Sequence, residues 1–498
     1  RRVLFRSITT GAFGPGPVRS AAPMIRDDLR SAVLEALATA GLPVPDGGVA
    51  VDPARNPEHG DWSTNVALQL AKRVGSRPLE VAGRIRDSLS GLGVAHIAAV
   101  EVAPPGFVNI TLAPSWLGAV VREVVAAGDR FGRSDALAGR RINLEFVSAN
   151  PTGPLHAGGG RWVAVGDVIA NLLAARGAEV HREYYLNDAG NQLRTFRDSL
   201  HARYRGEEPP EDGYQGEYLV EMAGKLRAEL GDDVDPETAC EWVYQEIVAG
   251  LRDDLGRIGV RFDTWFSERL LHERGDVAEV LGLLDTSGRT YEHEGARWLR
   301  STDFGDPRDR VLVRSDGSTT YLCNDLAYHR DKFARGFDHL IDIWGADHHG
   351  QVKSLQSGLE ALGFPAGEPE VLLGQFVKIV KGDQEVKISK RAGTIVTVAD
   401  LLDEVDPDVA RMTFLLQGID TPMTFDLEAV ARRSMDNPVY YVQYAHARVM
   451  SIARRAEAEG VARRPLADVD LSPLVHERDR KSTRLNSSHV SESRMPSS

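Results

Sequence analysis

Residues 141–188 leave this chain few ways to fold. RINLEFVSAN (141–150) is an apolar run of strand length and reads as a buried strand. It runs into PTGPLHAGGG (151–160), a loop dense in Pro and Gly. RWVAVGDVIANLLAARG (161–177) follows with the period of an amphipathic helix and stops at Gly177. AEVHREYYLND (178–188) is a second strand. Strand, glycine loop, helix and strand make a βαβ unit, the start of a doubly wound parallel sheet in an α/β domain.

The flanking sequence supplies further modules. DDLRSAVLEALATAGL (27–42) has helical period and stops at Gly41, and GFVNITLA (106–113) is strand-like. They predict a small α/β domain over 24–117, joined by a linking helix and turn to a larger domain over 136–427. Residues 195–258 are mostly helical and strongly charged, and an insertion is expected near 195–300. Strand-like pieces return at RVLVRSDG (310–317), HLIDIWGAD (339–347) and FVKIVKG (376–382). From Leu427 onward the pattern is helical, so residues 428–476 are expected to begin a helical domain.

Two loops carry chemistry. In the first, His156 precedes Ala157 and the run Gly158, Gly159, Gly160. Glycines let a backbone approach a nucleotide closely, and the helix N-terminus that follows offers free N–H groups to phosphate. His156 can donate to a phosphate oxygen or stand as a solvated loop histidine. Alone, the loop serves equally as a tight turn. It lacks the Gly-Lys-Ser/Thr of a Walker loop and the Gly-x-Gly-x-x-Gly spacing of dinucleotide folds. The second loop, KISKRAG, sets Lys387, Ser389, Lys390 and Arg391 after a late strand. Such cations suit the charge developing on a pyrophosphate leaving group. The bland alternative is a solvated turn.

Composition limits the rest. The 498 residues allow roughly three domains. With 59 basic and 72 acidic residues the net charge is −13, which neither advertises nor excludes a nucleic-acid partner. Two distant cysteines, Cys240 and Cys323, indicate neither a zinc knuckle nor a disulfide scaffold and suit a reducing cytoplasm. No apolar run approaches the ~20 residues that span a bilayer, so no membrane role is expected. Asp347, His348 and His349 invite a metal reading, but adjacent histidines on a strand point apart, and no protein metal site is expected.

Taken together, the two loops resemble the ATP motifs of class I aminoacyl-tRNA synthetases. The surrounding blocks narrow the resemblance to the arginine family: HGDWSTNVALQLAK (59–72), LEFVSANPTGPLHAGG (144–159), RFDTWFSE (261–268), IWGADHHGQ (343–351), KISKRAGT (387–394) and SMDNPVYYVQYAHARVMSI (434–452) fall in that family's order. The resemblance covers about Met24 to about Ala456. It implies a Rossmann-type catalytic domain, an N-terminal α/β tRNA-binding domain and the start of a helical anticodon-binding domain. It implies ATP with Mg2+ as substrate complex, arginine, the tRNA for arginine, and a monomer. His156, Lys387 and Lys390 are implied to be catalytic, and with Gly158, Gly159 and Ser389 to bind ATP. Glu145, Asn150, Tyr321, Asp325 and His348 are placed around arginine, which agrees with the carboxylates a guanidinium requires. One departure stands out: the family's first loop ends in a second histidine, and Gly159 occupies that position.

For tRNA, Asn65 and Gln69 are the candidates on the N-terminal domain, and Tyr444 and Arg448 on the late helix. A tyrosine stripe at helical spacing more often belongs to a core, and the stripe of Tyr440, Tyr441 and Tyr444 is expected there. After about His476 the resemblance stops, so a C-terminally truncated family member is expected. The serine-rich residues 477–498 read as disordered and non-native. Residues 1–23, Arg-rich and free of acids, suit either a transit peptide or translation upstream of Met24, and the second is favoured. Two alternatives stay open: a class I synthetase for another amino acid, and a non-catalytic RNA-binding relative. The first is disfavoured by Glu145 and Asp325, which suit a cationic substrate. The second is disfavoured by the intact His156, Lys387 and Lys390.

Overall fold

The computed structural model describes residues 25–54, 56–189, 191–382, 384–385, 396–432, 437–462 and 464–474. They fall into two compact units, 25–136 with 456–474 and 137–455. Among the described residues no helix is long and apolar enough to cross a membrane.

In the N-terminal unit, helix Ile25–Thr39 buries Leu29, Ala32, Val33, Ala36 and Leu37, the stripe its helical period demands. It lies with helices Val66–Val74 and Pro78–Gly91 around a four-stranded antiparallel sheet, ordered Asp52–Pro53, Trp62–Thr64, Phe107–Leu112, Ile97–Ala103. Helix Ser115–Ala127 completes the unit. Arg122 Nη2 on it donates to Val469 O at 2.9 Å, which ties the segment after 456 to this unit.

The larger unit is built on five parallel strands: β1 (Arg141–Glu145), β2 (Glu179–Leu186), β3 (Thr264–Ser267), β4 (His339–Gly345) and β5 (Glu370–Gly374). Their order is β5-β4-β1-β2-β3. The connections use helices α1 (Gly160–Ala175) between β1 and β2, α2 (Tyr321–Ala334) before β4, and α3 (His349–Ala361) between β4 and β5. The chain winds outward from β1 to β3, then returns to the other side of β1 for β4 and β5. That reversal opens a crevice at the carboxyl ends of β1 and β4, the place where such sheets bind ligands.

The expected insertion near 195–300 needs correction. Helices Asn191–Tyr204, Glu217–Leu230 and Pro236–Arg257 fill its first part, but Thr264–Ser267 inside it is β3 of the main sheet. Four residues are too few to display a strand period. The strand-like pieces at 310–317 and 376–382 also lie outside the main sheet. Arg310–Val313 joins Ala296–Leu299 and Thr290–His293 in an antiparallel sheet, and Val377–Lys381 pairs with Met423–Asp426 and Gln384–Glu385 in another.

Candidate active site

β1 is the middle strand of a parallel sheet, so both of its faces are covered. Ile142 and Leu144 are buried as expected, and so are the polar Asn143 and Glu145. Asn143 Nδ2 donates to Glu183 Oε2 at 2.9 Å. Glu145 Oε2 accepts from Lys332 Nζ at 2.7 Å, and Glu145 Oε1 accepts from Ser148 Oγ at 2.9 Å. Lys332 extends from α2 and also donates to Asp342 Oδ1 on β4 at 3.1 Å. His329 Nε2 lies 2.7 Å from Asp342 Oδ2. Burial works against the Lys332 ammonium, but Asp342 and Glu145 overcome it and raise its pKa above the ordinary lysine value. The Asp342 carboxyl is held below its ordinary value because Lys332 and His329 outweigh its burial.

Asp325, one turn before His329 on α2, is different. Among the described residues no donor engages its carboxylate. Burial, opposed by His329 and reinforced by Glu145, Glu268 and Asp342, pushes the Asp325 carboxyl up to about 7. A cation is what this group lacks.

Beyond Glu145 the backbone turns sharply. Val147 and Ser148 have φ of 72° and 41°, a left-handed pair without glycine. For a β-branched valine this is strained. Contacts from β2 hold it: Ser148 Oγ accepts from Tyr185 N at 3.1 Å, and Tyr184 Oη accepts from Ala149 N at 3.0 Å and donates to Ala149 O at 3.1 Å. Asn150 Nδ2 then donates to Gln192 Oε1 at 2.6 Å.

These elements surround a cleft of about 450 Å³ lined by Glu145, Asn150, Tyr321, Asp325 and His348, together with Ser148, Tyr185, Gln192 and Gln351. All five residues expected around arginine therefore face one cavity. His348 is not on a strand, however. β4 ends at Gly345, residues Ala346–His348 form a 3-10 turn, and His349 begins α3. Gly345 breaks the apolar run, which the sequence reading carried two residues too far.

A smaller crevice of about 250 Å³ adjoins it, lined by Leu155, His156, Gly158, Gly159, Phe376 and Val377. The two share Val147, Ala149 and Trp162. The Trp162 ring packs so tightly on Gly374 that a Cβ there would lie 1.8 Å from it. His156 Nδ1 accepts from Gly158 N at 2.7 Å and folds the loop into a 3-10 turn ahead of α1. The loop is strapped to a later segment: Ala157 N donates to Val396 O at 2.8 Å, and Val398 N to Leu155 O at 2.7 Å. Thr397, between them, caps helix Val398–Glu404 with Asp400 in a reciprocal box. Lys387, Ser389 and Lys390 lie outside the described residues. A larger crevice of about 630 Å³ between insertion helices, lined by Arg194, Arg197, Cys240 and Arg269, holds none of the expected residues.

Residues 27–112 match the family described as arginyl tRNA synthetase N terminal domain, and residues 215–417 match the class I (R) tRNA synthetase catalytic domain. Over 441 residues the chain is 46% identical to arginine–tRNA ligase of Syntrophotalea carbinolica, covering 86% of this chain and 79% of that protein. Over 454 residues it is 45% identical to arginine–tRNA ligase of Kineococcus radiotolerans, covering 90% and 82%. The chain belongs to the arginyl-tRNA synthetase family. A solved structure of Thermus thermophilus arginyl-tRNA synthetase matches its fold with a TM-score of 0.67, at 20% identity over 93% of this chain and 88% of that one.

Some partners in the cleft were missed from sequence. Lys332 reads as a solvated lysine, yet Tyr321, Asp325, Tyr328 and Lys332 recur at spacings of four, three and four on α2. That is the signature of one helix face. Ser148 carried no signal, because its role depends on the strained turn.

The N-terminal unit has its own cleft, of about 450 Å³. Asn65 lines it with Asn56, His59, Ser63 and Asn109, beside the part-exposed ring of Phe107. Gln69 does not line it but donates from Nε2 to Asn65 Oδ1 at 3.0 Å. On helix Pro438–Ala458 the tyrosines divide: Tyr440 packs against the core as expected, and the other two do not. Tyr441 and Tyr444 are exposed rather than core, because no described residue covers that face, and Arg448 Nη1 donates to Tyr444 Oη at 3.1 Å.

Proposed function

We propose that the paired crevices at the switch point of the sheet are where this chain joins arginine to its tRNA at the expense of ATP. The convergence of Glu145, Asn150, Tyr321, Asp325 and His348 on one cleft beside the glycine loop carries this reading. A guanidinium is planar and permanently charged, so it calls for carboxylates in a site poor in water. Asp325 supplies one that no donor among the described residues engages, and Glu145 supplies a second whose two oxygens are already held by Lys332 and Ser148. Asn150 suits the substrate's amino or carboxylate end, Tyr321 forms a wall with a hydroxyl tip, and His348 borders the open side.

In the first step the arginine carboxylate attacks the α-phosphorus of ATP and pyrophosphate leaves. The triphosphate lies over the glycine loop, where His156 and the N-terminus of α1 face it. Lys387 and Lys390 neutralise the charge that develops on pyrophosphate, Ser389 contributes a hydroxyl, and Mg2+ arrives with ATP. In the second step the 2′-hydroxyl of the terminal adenosine of tRNA attacks the arginyl-adenylate and AMP leaves. The work of the protein is alignment and charge stabilisation. The cleft of Asn65 and Phe107 on the N-terminal unit suits a splayed base that stacks on the ring and bonds to the amides. Tyr444 and Arg448 offer the same chemistry on the late helix.

The test is arginine-dependent exchange of labelled pyrophosphate into ATP, with and without tRNA for arginine. Lys390→Ala and the other amino acids serve as controls. Exchange with arginine alone, lost in the variant, is the expected result. Exchange driven by a different amino acid sinks the arginine assignment.

A further inference from the structure

Arg161 lies in the first turn of α1, directly after the glycine loop, and is fully buried. Among the described residues no carboxylate is in hydrogen-bond contact with its guanidinium. Nη1 donates to the backbone carbonyl of Gln375 at 3.0 Å and Nη2 to that of Gly418 at 2.7 Å. Burial lowers its pKa, and Asp420 opposes the change only from a distance. A buried guanidinium is costly to desolvate, and here two backbone carbonyls rather than a hydrogen-bonded carboxylate hold it. Its two bonds tie the segments of Gln375 and Gly418 to the first turn of α1.

We infer that Arg161 is a positioning residue for ATP, fixing the wall of Phe376 and Val377 in the nucleotide crevice against the glycine loop. The inference rests on the reading of that crevice as the ATP site. Gln375 leads directly into Phe376 and Val377, which line the crevice together with Gly158 and Gly159. Gln375 N also donates to Ile419 O at 2.9 Å, so the two segments that Arg161 grips are joined to each other. A planar fork holds two carbonyls at a fixed separation, whereas a lysine ammonium on a flexible stem does not. Because Arg161 follows the glycine loop directly, the same bonds set the width of the crevice. Displacements near 1 Å lower rates by up to about a hundredfold.

The test compares the full chain with Arg161→Lys and Arg161→Met, with tRNA for arginine present. Dissociation constants for ATP are measured by displacement of a fluorescent ATP analogue, and KM for ATP and for arginine by pyrophosphate exchange. Both quantities are independent of the fraction folded, so partial unfolding lowers amplitude and rate alone. In Arg161→Lys the affinity and KM for ATP are expected to weaken about tenfold or more, with KM for arginine within about twofold. Should Arg161→Met not fold, Arg161→Lys decides alone. Unchanged ATP constants in a variant whose parent exchanges pyrophosphate overturn the role of Arg161. So does equal weakening for ATP and arginine. A parent that neither binds ATP nor exchanges overturns the reading of the crevice as well.

Discussion

Lys332 Nζ lies 2.7 Å from Glu145 Oε2 and 3.1 Å from Asp342 Oδ1, and all three residues are buried. One lysine thus joins the two strands that flank the switch point. Its removal in Lys332→Met leaves two carboxylates facing each other in the interior. Breaking a buried pair from one side costs about 3–5 kcal/mol. Two neighbouring carboxylates also raise each other's pKa. A carboxyl with a raised folded pKa contributes stability below its unfolded pKa and loses it as pH rises. The variant is expected to melt well below the parent at pH 8 and to recover part of the difference at pH 5. Thermal unfolding at both pH values checks this, and a deficit independent of pH contradicts it.

Burial holds the Asp325 carboxyl close to neutral pH. Its carboxyl is raised from 3.8 to about 7, mainly by burial. In the empty cleft it destabilises the fold as pH rises from about 4 toward 7, the sign for an acid whose folded pKa is raised. A bound guanidinium favours the charged form. Arginine binding is therefore expected to release a proton near pH 6.5 and to weaken by up to about tenfold for each pH unit below 7. Calorimetric titration with arginine in buffers of differing ionisation enthalpy reads both quantities. Asp325→Asn is expected to weaken binding by about 2–5 kcal/mol and to remove the pH dependence. A variant that keeps the parent's pH profile assigns the proton to another group.

Gly159 is a repairable departure from the family loop. Its φ of −64° and ψ of −22° suit any residue. A Cβ there would lie 3.0 Å from Leu155 Cδ1, the end of a flexible side chain. Gly159→His is thus expected to fold after a small shift of Leu155. A hydrogen bond to a charged phosphate is worth about 1.5–3 kcal/mol, so kcat/KM for ATP is expected to rise about tenfold or more. Pyrophosphate exchange against ATP concentration measures it. A folded variant with unchanged or lower efficiency removes the second histidine from any role in this chain.

What could be read in advance depended on how local each feature is. The βαβ unit of 141–188 is continuous, and its apolar run, glycine loop and helix stop at Gly177 are each visible within a short window. Tyr321 and Asp325 were found through resemblance, and their convergence with Glu145 follows from the return of the chain to β4 beside β1, a long-range event. β3 escaped because four residues show no period. Lys332 escaped because lysine is ordinarily a surface residue, and the carboxylates that make its burial tolerable come from strands nearly two hundred residues apart. Ser148 depends on a left-handed turn that only β2 makes stable. Arg161 escaped because its partners are backbone carbonyls, which leave no mark in sequence.

The turn at Val147 permits a test in which stability and activity part company. With φ at 72°, a valine there stores strain that costs of order 1–3 kcal/mol, whereas glycine adopts this geometry freely. Against that gain stands the extra entropy of glycine in the unfolded chain, about 0.5–1 kcal/mol. The Val147 side chain is only partly buried, so its loss subtracts a fraction of a full valine burial, itself about 1.5–3 kcal/mol. Val147→Gly is therefore expected to keep the melting temperature of the parent or raise it by a few degrees. The same substitution removes a wall shared by both crevices and loosens the turn that holds Ser148 against Glu145. Arginine is expected to bind several-fold more weakly and exchange to slow. Calorimetric unfolding beside steady-state exchange reads both. A variant that is less stable and equally active refutes the view that this turn is strained in the service of the site.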